Sequence, residues 1–296
     1  MNRSEAKKLF KKNIKSVEIG THSYCNRTCN YCPLSRDDVN RNDSRAIKFM
    51  SDDIFNRIIQ DLSEIDFTGR IDFSRYHEPL SQKENILKRI RYIKKFLPRA
   101  GISINTNCDF INRRYLDELI EAGVDNFALM AYLKNGSTEY DPDAVFIKMN
   151  QILKKLKINK TVNKEQFQNI EWIKYPVPEI KAAIHGRNYW KNGLNRAGAI
   201  KSTTDGKTYV RTQPCNSMNA GVFIEYDGSM TLCCDMLGPE LHRDWIVGDL
   251  SRTPDLFENY GSDWYQTFKK QVNVGDFPKK SPCLTCKRDV RGAQAR

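Results

Sequence analysis

The sequence predicts an α/β fold. It reads as a parallel sheet covered by helices, either open or closed into all or part of a (β/α) barrel, followed by a smaller C-terminal unit built on a β-hairpin. Three observations predict this. Between residues 16 and 132, short apolar strand patterns alternate with helix patterns across connections of ordinary length. Beyond about Lys201 the alternation stops, and two strand patterns flank Asp227-Gly228, a strong hairpin signal. The chain has 296 residues, enough for one large domain or nearly two ordinary ones.

The elements follow in order. The N-terminal arm places Ala6, Phe10 and Ile14 on one helical face with Leu9 at its edge. Ser16–Gly20 is a strand pattern, and Thr21–Ser35, rich in Cys, Asn and Arg, is a loop. Ser51-Asp52-Asp53 is a helix N-cap signal, followed by Ile54, Phe55, Ile58, Ile59 and Leu62 at helical spacing. Gly69–Phe73 is a strand, Ser74–Leu80 a loop, Asn85–Phe96 a helix and Ile102–Ile104 a strand. Arg113–Ala122 is a helix closed by Gly123, and Asn126–Tyr132 is a strand. Residues 135–190 read as an insertion in which only Phe146–Leu156 is clearly helical and Pro176 and Pro178 break the chain. Gly221–Tyr226 and Ser229–Leu232 are the hairpin strands, and Trp264–Val272 is a helix. Residues 1–200 and 201–296 are therefore the expected domains. In such folds the site forms from loops at the C-terminal ends of the strands. The cysteine loop, Tyr76–Pro79 and Thr106-Asn107-Cys108 all fall there.

Composition narrows the function. Hydrophobic residues make up 40% and charged residues 28%, which supports a core and argues against disorder. Mean hydropathy is −0.63, and no apolar run approaches the ~18 residues of a membrane helix. The basic N-terminal arm has no apolar stretch behind it, so neither a signal peptide nor an anchor is expected. A cytoplasmic setting follows, where thiols stay reduced. The net charge of +12 favours anionic partners, but no nucleic-acid-binding motif accompanies it. An anionic small-molecule substrate or an acidic electron donor remains. Nine cysteines are too few for a disulfide scaffold and too clustered to be incidental, which points to metal or redox chemistry.

Cys25, Cys29 and Cys32 form C-x3-C-x2-C on one loop. Three thiolates at this spacing can reach three corners of a cuboidal iron–sulfur cluster, leaving one iron open to a bound ligand. A zinc site would ask for two C-x2-C pairs or added histidines, and His22 precedes the loop on the strand side. With an aromatic, Tyr31, before the last cysteine and a strand before the loop, this constellation resembles the radical S-adenosylmethionine (radical SAM) superfamily. The resemblance implies a partial (β/α)6 barrel and a [4Fe–4S] cluster whose open iron chelates S-adenosylmethionine. A 5′-deoxyadenosyl radical would then take a hydrogen atom from the substrate. It also implies cofactor contacts from Tyr31 and from His77-Glu78-Pro79, where the family commonly has Gly-Glu-Pro. Asn105 and Asn107 follow from Thr106-Asn107-Cys108, where the family often has Thr-Asn-Gly.

Cys215, Cys233, Cys283 and Cys286 are a second constellation: thiols flanking the hairpin plus a C-x2-C knuckle, suited to zinc or to iron and sulfur. With Gly248-Asp249-Leu250 between, the pattern resembles the shorter, twitch form of the SPASM extension of radical SAM enzymes. That form implies one auxiliary [4Fe–4S] cluster on these four cysteines, with Cys234 as the alternative to Cys233. Asp66–Ile71, Tyr76–Leu80, Asn107–Phe110 and Asn195-Arg196-Ala197-Gly198 further resemble twitch-type enzymes that oxidise a carbinol to a ketone. There the radical's second electron goes to the auxiliary cluster. Arg196 would anchor the substrate, since a guanidinium stays protonated and makes a poor base. The expected substrate is a small hydroxylated molecule such as a sugar, cyclitol or nucleotide sugar, and the expected reductant an acidic flavodoxin or ferredoxin. Three alternatives stay open: a radical epimerase using Cys108 or Cys234 as hydrogen donor, a peptide-modifying SPASM-type enzyme, and a zinc-stabilised binding module.

Overall fold

The computed structural model describes residues 1–39, 41–200 and 210–288. The expected domain junction at Lys201 lies outside them. The first part runs α1 (Arg3–Asn13), β1 (Ser16–Ile19), α2 (Asp52–Glu64), β2 (Arg70–Phe73), α3 (Lys83–Phe96), β3 (Gly101–Thr106), α4 (Arg113–Ala122), β4 (Asn126–Met130), α5 (Pro142–Lys155), β5 (Trp172–Val177), β6 (Ala182–Arg187) and α6 (Tyr189–Asn192). After it come β7 (Gly221–Ile224), β8 (Ser229–Thr231), α7 (Gly238–Leu241), β9 (Ile246–Asp249), α8 (Leu256–Tyr260) and α9 (Asp263–Val274).

The sheet is single and mixed, in the order β5-β6-β4-β3-β2-β1-β7-β8-β9. β1 to β4 and β6 run parallel, and β7 continues the parallel set on the far side of β1. β5, β8 and β9 are antiparallel to their neighbours. The C-terminal hairpin is thus no separate sheet. Val17 pairs with Ile71 on one side and Val222 on the other, so β1 joins the two halves of the chain.

Strand period fixes what each face does. Val17, Ile19, Ile71, Phe73, Ile102, Ile104, Phe127 and Leu129 are 0% exposed and belong to one apolar core. Between them, Glu18, Asp72 and Ser103 fall in register with one another on the other face. One face therefore carries the core and the other carries chemistry. The helices cap as their sequences predict. Ser51 accepts from Ile54 N, and Gly123 closes α4 at φ +114°. Asn2 and Glu5 form a capping box on α1, whose Ala6 and Phe10 are buried.

Residues 135–190 supply α5, β5 and β6, and so continue the β/α alternation. Pro176 does not break the chain as expected but lies within β5, paired with Ala183. β5 is the outermost strand, where a missing N–H costs no ladder bond. Pro178 opens the turn into β6.

Candidate active site

The cavity lies over the polar face of the sheet, at the C-terminal ends of the parallel strands. It has a volume of about 370 Å3. Loop 21–35 contributes Cys25, Cys29, Tyr31 and Cys32, while Glu78 and Asn107 come from the loops after β2 and β3. These loops are tied together. One Glu78 carboxylate oxygen accepts from Thr106 Oγ1 (2.7 Å) and Leu80 N (3.1 Å), the other from Asn107 N (2.8 Å). Asn107 Nδ2 donates to Asn26 in the cysteine loop (2.8 Å). Arg27 in the same loop makes a two-pronged ion pair with Asp109 (2.7 and 2.9 Å). Burial pushes the Glu78 carboxyl up to about 7 despite these donors.

The thiols of Cys25, Cys29 and Cys32 share one wall, each close enough to another to perturb its titration. Burial pushes Cys25 up, and Cys32 up to about 11. Among the described residues no three His, Cys, Asp or Glu side chains converge tightly enough to grip a single metal ion. Three thiols spread over one loop and facing a roomy cavity suit a cuboidal cluster with an open corner better than zinc.

Tyr31 stacks on Tyr189 of α6, with ring centroids 4.1 Å apart and planes 12° apart. His77 has both ring nitrogens within reach of protein groups, Arg75 O (3.2 Å) and Thr21 Oγ1 (3.3 Å), and packs edge-on against His22. Burial pushes its pKa down to about 3, which keeps the ring neutral on the cavity wall. Asn105 lines the cavity from β3.

The far wall comes from the C-terminal half. Cys234 and Arg288 line the cavity there, and Arg196 lies beside them. The Asp235 carboxylate accepts from Arg196 Nη1 (2.9 Å) and Arg288 Nη1 (2.7 Å), and Arg288 also reaches Cys234 Sγ (3.0 Å). Burial opposes ionisation of Asp235, yet Arg288 and Arg196 hold its carboxyl below the ordinary range. Arg196 and Ala197 sit at φ +48° and +52°, and Gly198 at φ +82°. A backbone this strained needs its surroundings to hold it. Asn195 does so by bonding Thr285 O and accepting from Lys287 N (3.0 Å). A Cβ on Gly198 would overlap Thr285 Oγ1. Gly198→Ala is therefore expected to destabilise the protein by about 1–2 kcal/mol from the positive φ alone, more with the overlap. It should also displace Arg196, and the destabilisation is read as a lower Tm.

Behind this wall Cys215, Cys233, Cys283 and Cys286 line a second, nearly closed cavity, which Arg288 also borders. Cys283 and Cys286 sit on a tight turn capped by Ser281, with Cys286 N donating to Cys283 O (3.2 Å). The buried Arg211 guanidinium bonds the carbonyls of Gln213 (2.7 Å), Pro214 (2.9 Å) and Cys286 (3.3 Å), which fastens the segment bearing Cys215 to this turn. Four thiols lining one small, nearly closed cavity are the donor set that a fully ligated cluster needs. Adjacent residues thus face different cavities, Cys233 the second and Cys234 the first. Cys108 faces neither. It is 1% exposed within the apolar core, at φ +66°, with its thiol towards Thr106 O (3.6 Å). That positive φ accounts for the glycine usual in the family at this position.

Sequence reasoning missed Glu18, Asp235, Arg187 and Arg288. Glu18 could have been found as the single acid in an apolar strand pattern, and Asp235 and Arg288 by their proximity to cysteine ligands in the chain. Arg187 carries no such signal.

Fold and site together define an enzyme that generates a radical with an iron–sulfur cluster. The chain belongs to the radical SAM superfamily, whose sequence model matches residues 19–174. A model of the SPASM iron–sulfur cluster-binding domain matches residues 215–287. Members bind a [4Fe–4S] cluster and S-adenosylmethionine, and SPASM domains bind auxiliary iron–sulfur clusters. Among particular proteins, the chain is 36% identical over 111 residues to the S-adenosyl-L-methionine-dependent 2-deoxy-scyllo-inosamine dehydrogenase of Niallia circulans. That match spans 38% of this chain and 42% of that protein. Its fold is similar to crystal structures of BtrN. The complex with AdoMet and 2-DOIA aligns at TM-score 0.65 and 20% identity over 93% of both chains. An open conformation aligns at TM-score 0.59 and 19% identity, over 93% of this chain and 92% of that one. No helix among the described residues is long and apolar enough to cross a membrane.

Proposed function

We propose that this chain oxidises an alcohol of a small hydroxylated substrate to a ketone, as the name of its Niallia circulans relative describes for an inosamine. The observation that carries the reading is the shared wall: the cavity with the Cys25, Cys29 and Cys32 triad is backed by the four-cysteine cavity, one residue apart at Cys233 and Cys234. A reaction that must dispose of a second electron needs an acceptor beside the substrate. Cys25, Cys29 and Cys32 would hold one cluster, and Cys215, Cys233, Cys283 and Cys286 the other. When bound, these groups and S-adenosylmethionine supply the hydrogen-abstracting radical and the electron acceptor.

The residues of the chain supply the rest. Glu78, Asn105, Asn107 and Tyr31 border the space for S-adenosylmethionine, with Glu78 available to its amino group. The Tyr76 hydroxyl and Arg196 Nε are buried with no hydrogen-bond partner among the described residues, and both residues line the cavity. They are donors held ready for substrate oxygens.

Glu18 is the group that can accept the hydroxyl proton. Burial pushes its carboxyl up to about 7, opposed by Arg75, which lies 3.7 Å away. Asp72 on β2 and Glu225 after β7 push the same way as burial, and Ser74 opposes it. A base must be deprotonated to act, so turnover should rise with pH through about 7 and level off above. Glu18→Gln should lose that rise and about 10²- to 10⁴-fold in kcat. A pH–rate profile unchanged in the variant would remove Glu18 from the role.

The direct test of the reading is anaerobic turnover with a panel of polyols, measuring ketone and 5′-deoxyadenosine. A ratio near one, without solvent deuterium in recovered substrate, supports oxidation. Cys234 on the cavity wall favours one second reading, epimerisation with its thiol as hydrogen donor. Solvent deuterium at the product carbon, lost in Cys234→Ala, would establish that reading; full activity in Cys234→Ala would end it.

A further inference from the structure

We infer that Arg211 is the counter-cation of the auxiliary cluster and raises its reduction potential, which suits that site to accept an electron. The inference rests on the reading that Cys215, Cys233, Cys283 and Cys286 hold a cluster that takes the second electron of the oxidation. Arg211 borders their cavity and is 3% exposed. Its guanidinium donates to the carbonyls of Gln213, Pro214, Cys286 and Arg288. Those bonds fix the guanidinium plane and bring no opposing charge. Among the described residues no carboxylate lies in ion-pair range of it. A guanidinium stays charged at any working pH, and a buried charge is costly unless an opposite charge meets it.

The cavity points to what that charge meets. Among the described residues its lining holds no acid. Asp235, next to Cys234 in the chain, is bonded by both Arg196 and Arg288. The remaining anion is the cluster itself, four thiolates on iron and sulfide, net negative and more so when reduced. A cation beside it favours the reduced form, and cluster potentials follow net charge and hydrogen bonds to sulfur. Two further groups act in the same direction. Arg288 N donates to Cys286 Sγ (3.4 Å), and Ser217 Oγ lies 3.0 Å from Cys215 Sγ. Met218, Leu232 and Met236 complete the lining, so the field of Arg211 is little screened. The step served is a one-electron transfer. The substrate radical left after hydrogen abstraction loses one electron and its hydroxyl proton to become the ketone, and the electron needs a site that holds it well.

The test is a redox titration of the anaerobically reconstituted full-length protein, followed by electron paramagnetic resonance. The signal of the triad's cluster is set apart by its change on adding S-adenosylmethionine. In Arg211→Gln the ratio of reduced to oxidised auxiliary cluster at a given potential should fall at least about tenfold, or about 59 mV for one electron. Arg211→Lys keeps the charge and should stay within about threefold of the native ratio. A native potential in a loaded Arg211→Gln overturns the inference. So does a comparable fall in Arg211→Lys, which would assign the effect to the lost carbonyl bonds. If Arg211→Gln does not retain the auxiliary iron, Arg211→Lys decides. Restored iron with a near-native potential supports the counter-charge, and continued loss makes Arg211 a purely structural residue and overturns it. The potential is read without substrate and the oxidation from the ketone, so the two readings stand or fall separately.

Discussion

Cys29→Ala protein, reconstituted anaerobically with iron and sulfide, should form no 5′-deoxyadenosine above background. The loss should be at least ~10³-fold, or about 4 kcal/mol. The reason lies in the loop. Cys25, Cys29 and Cys32 come from one eight-residue stretch and share one cavity wall, and as ligands they would leave one corner of a cluster open for the cofactor. With two thiols the cluster has no stable seat. The control is iron content and visible absorbance. These should fall by about half and not to zero, because Cys215, Cys233, Cys283 and Cys286 enclose a separate space. Reductive cleavage of S-adenosylmethionine by Cys29→Ala at the native rate would end the radical reading altogether.

Cys283→Ala should divide the reaction differently. The cysteine triad is intact, so 5′-deoxyadenosine should still form with substrate present. The ketone should fall by at least ~10²-fold, because on the proposed reading the second electron would have lost its acceptor. The thiol borders the closed cavity and sits on the capped turn, so the variant must first show a native melting profile and retained cofactor binding. Ketone formation at the native rate in that folded variant would show that the auxiliary site takes no part in the oxidation. The neighbouring Arg196 makes a useful comparison. Its removal should weaken binding of substrate and leave both clusters loaded.

Much of this was legible in the sequence because the signals are local. Helix caps at Ser51 and Gly123, the Asp227-Gly228 turn and the apolar periodicity of α1 to α4 each act within a few residues. The triad was legible for the same reason, since its three cysteines must stay on one loop to serve one cluster. β5 and β6 were not. Pro176 is a breaker by its own chemistry and becomes harmless only at a sheet edge, and being at an edge depends on every other strand. β8 and β9 add to β7, and β7 to β1, a pairing that joins residues 17 and 222.

The site shows the same division. The cysteines, Glu78 and the Asn195–Gly198 motif stand out because their chemistry needs particular residue types at fixed spacing. The roles of the two spare thiols do not. Cys108 and Cys234 look equivalent as sequence, yet the core encloses Cys108 while the turn after β8 sends Cys233 and Cys234 to opposite sides of one wall. Glu18, Asp235, Arg187 and Arg288 come from four distant segments. The sequence by itself therefore determined the radical chemistry, because ligand spacing is covalent. Only the tertiary structure decided which charges line the cavity, because burial and pairing arise when remote strands close around it.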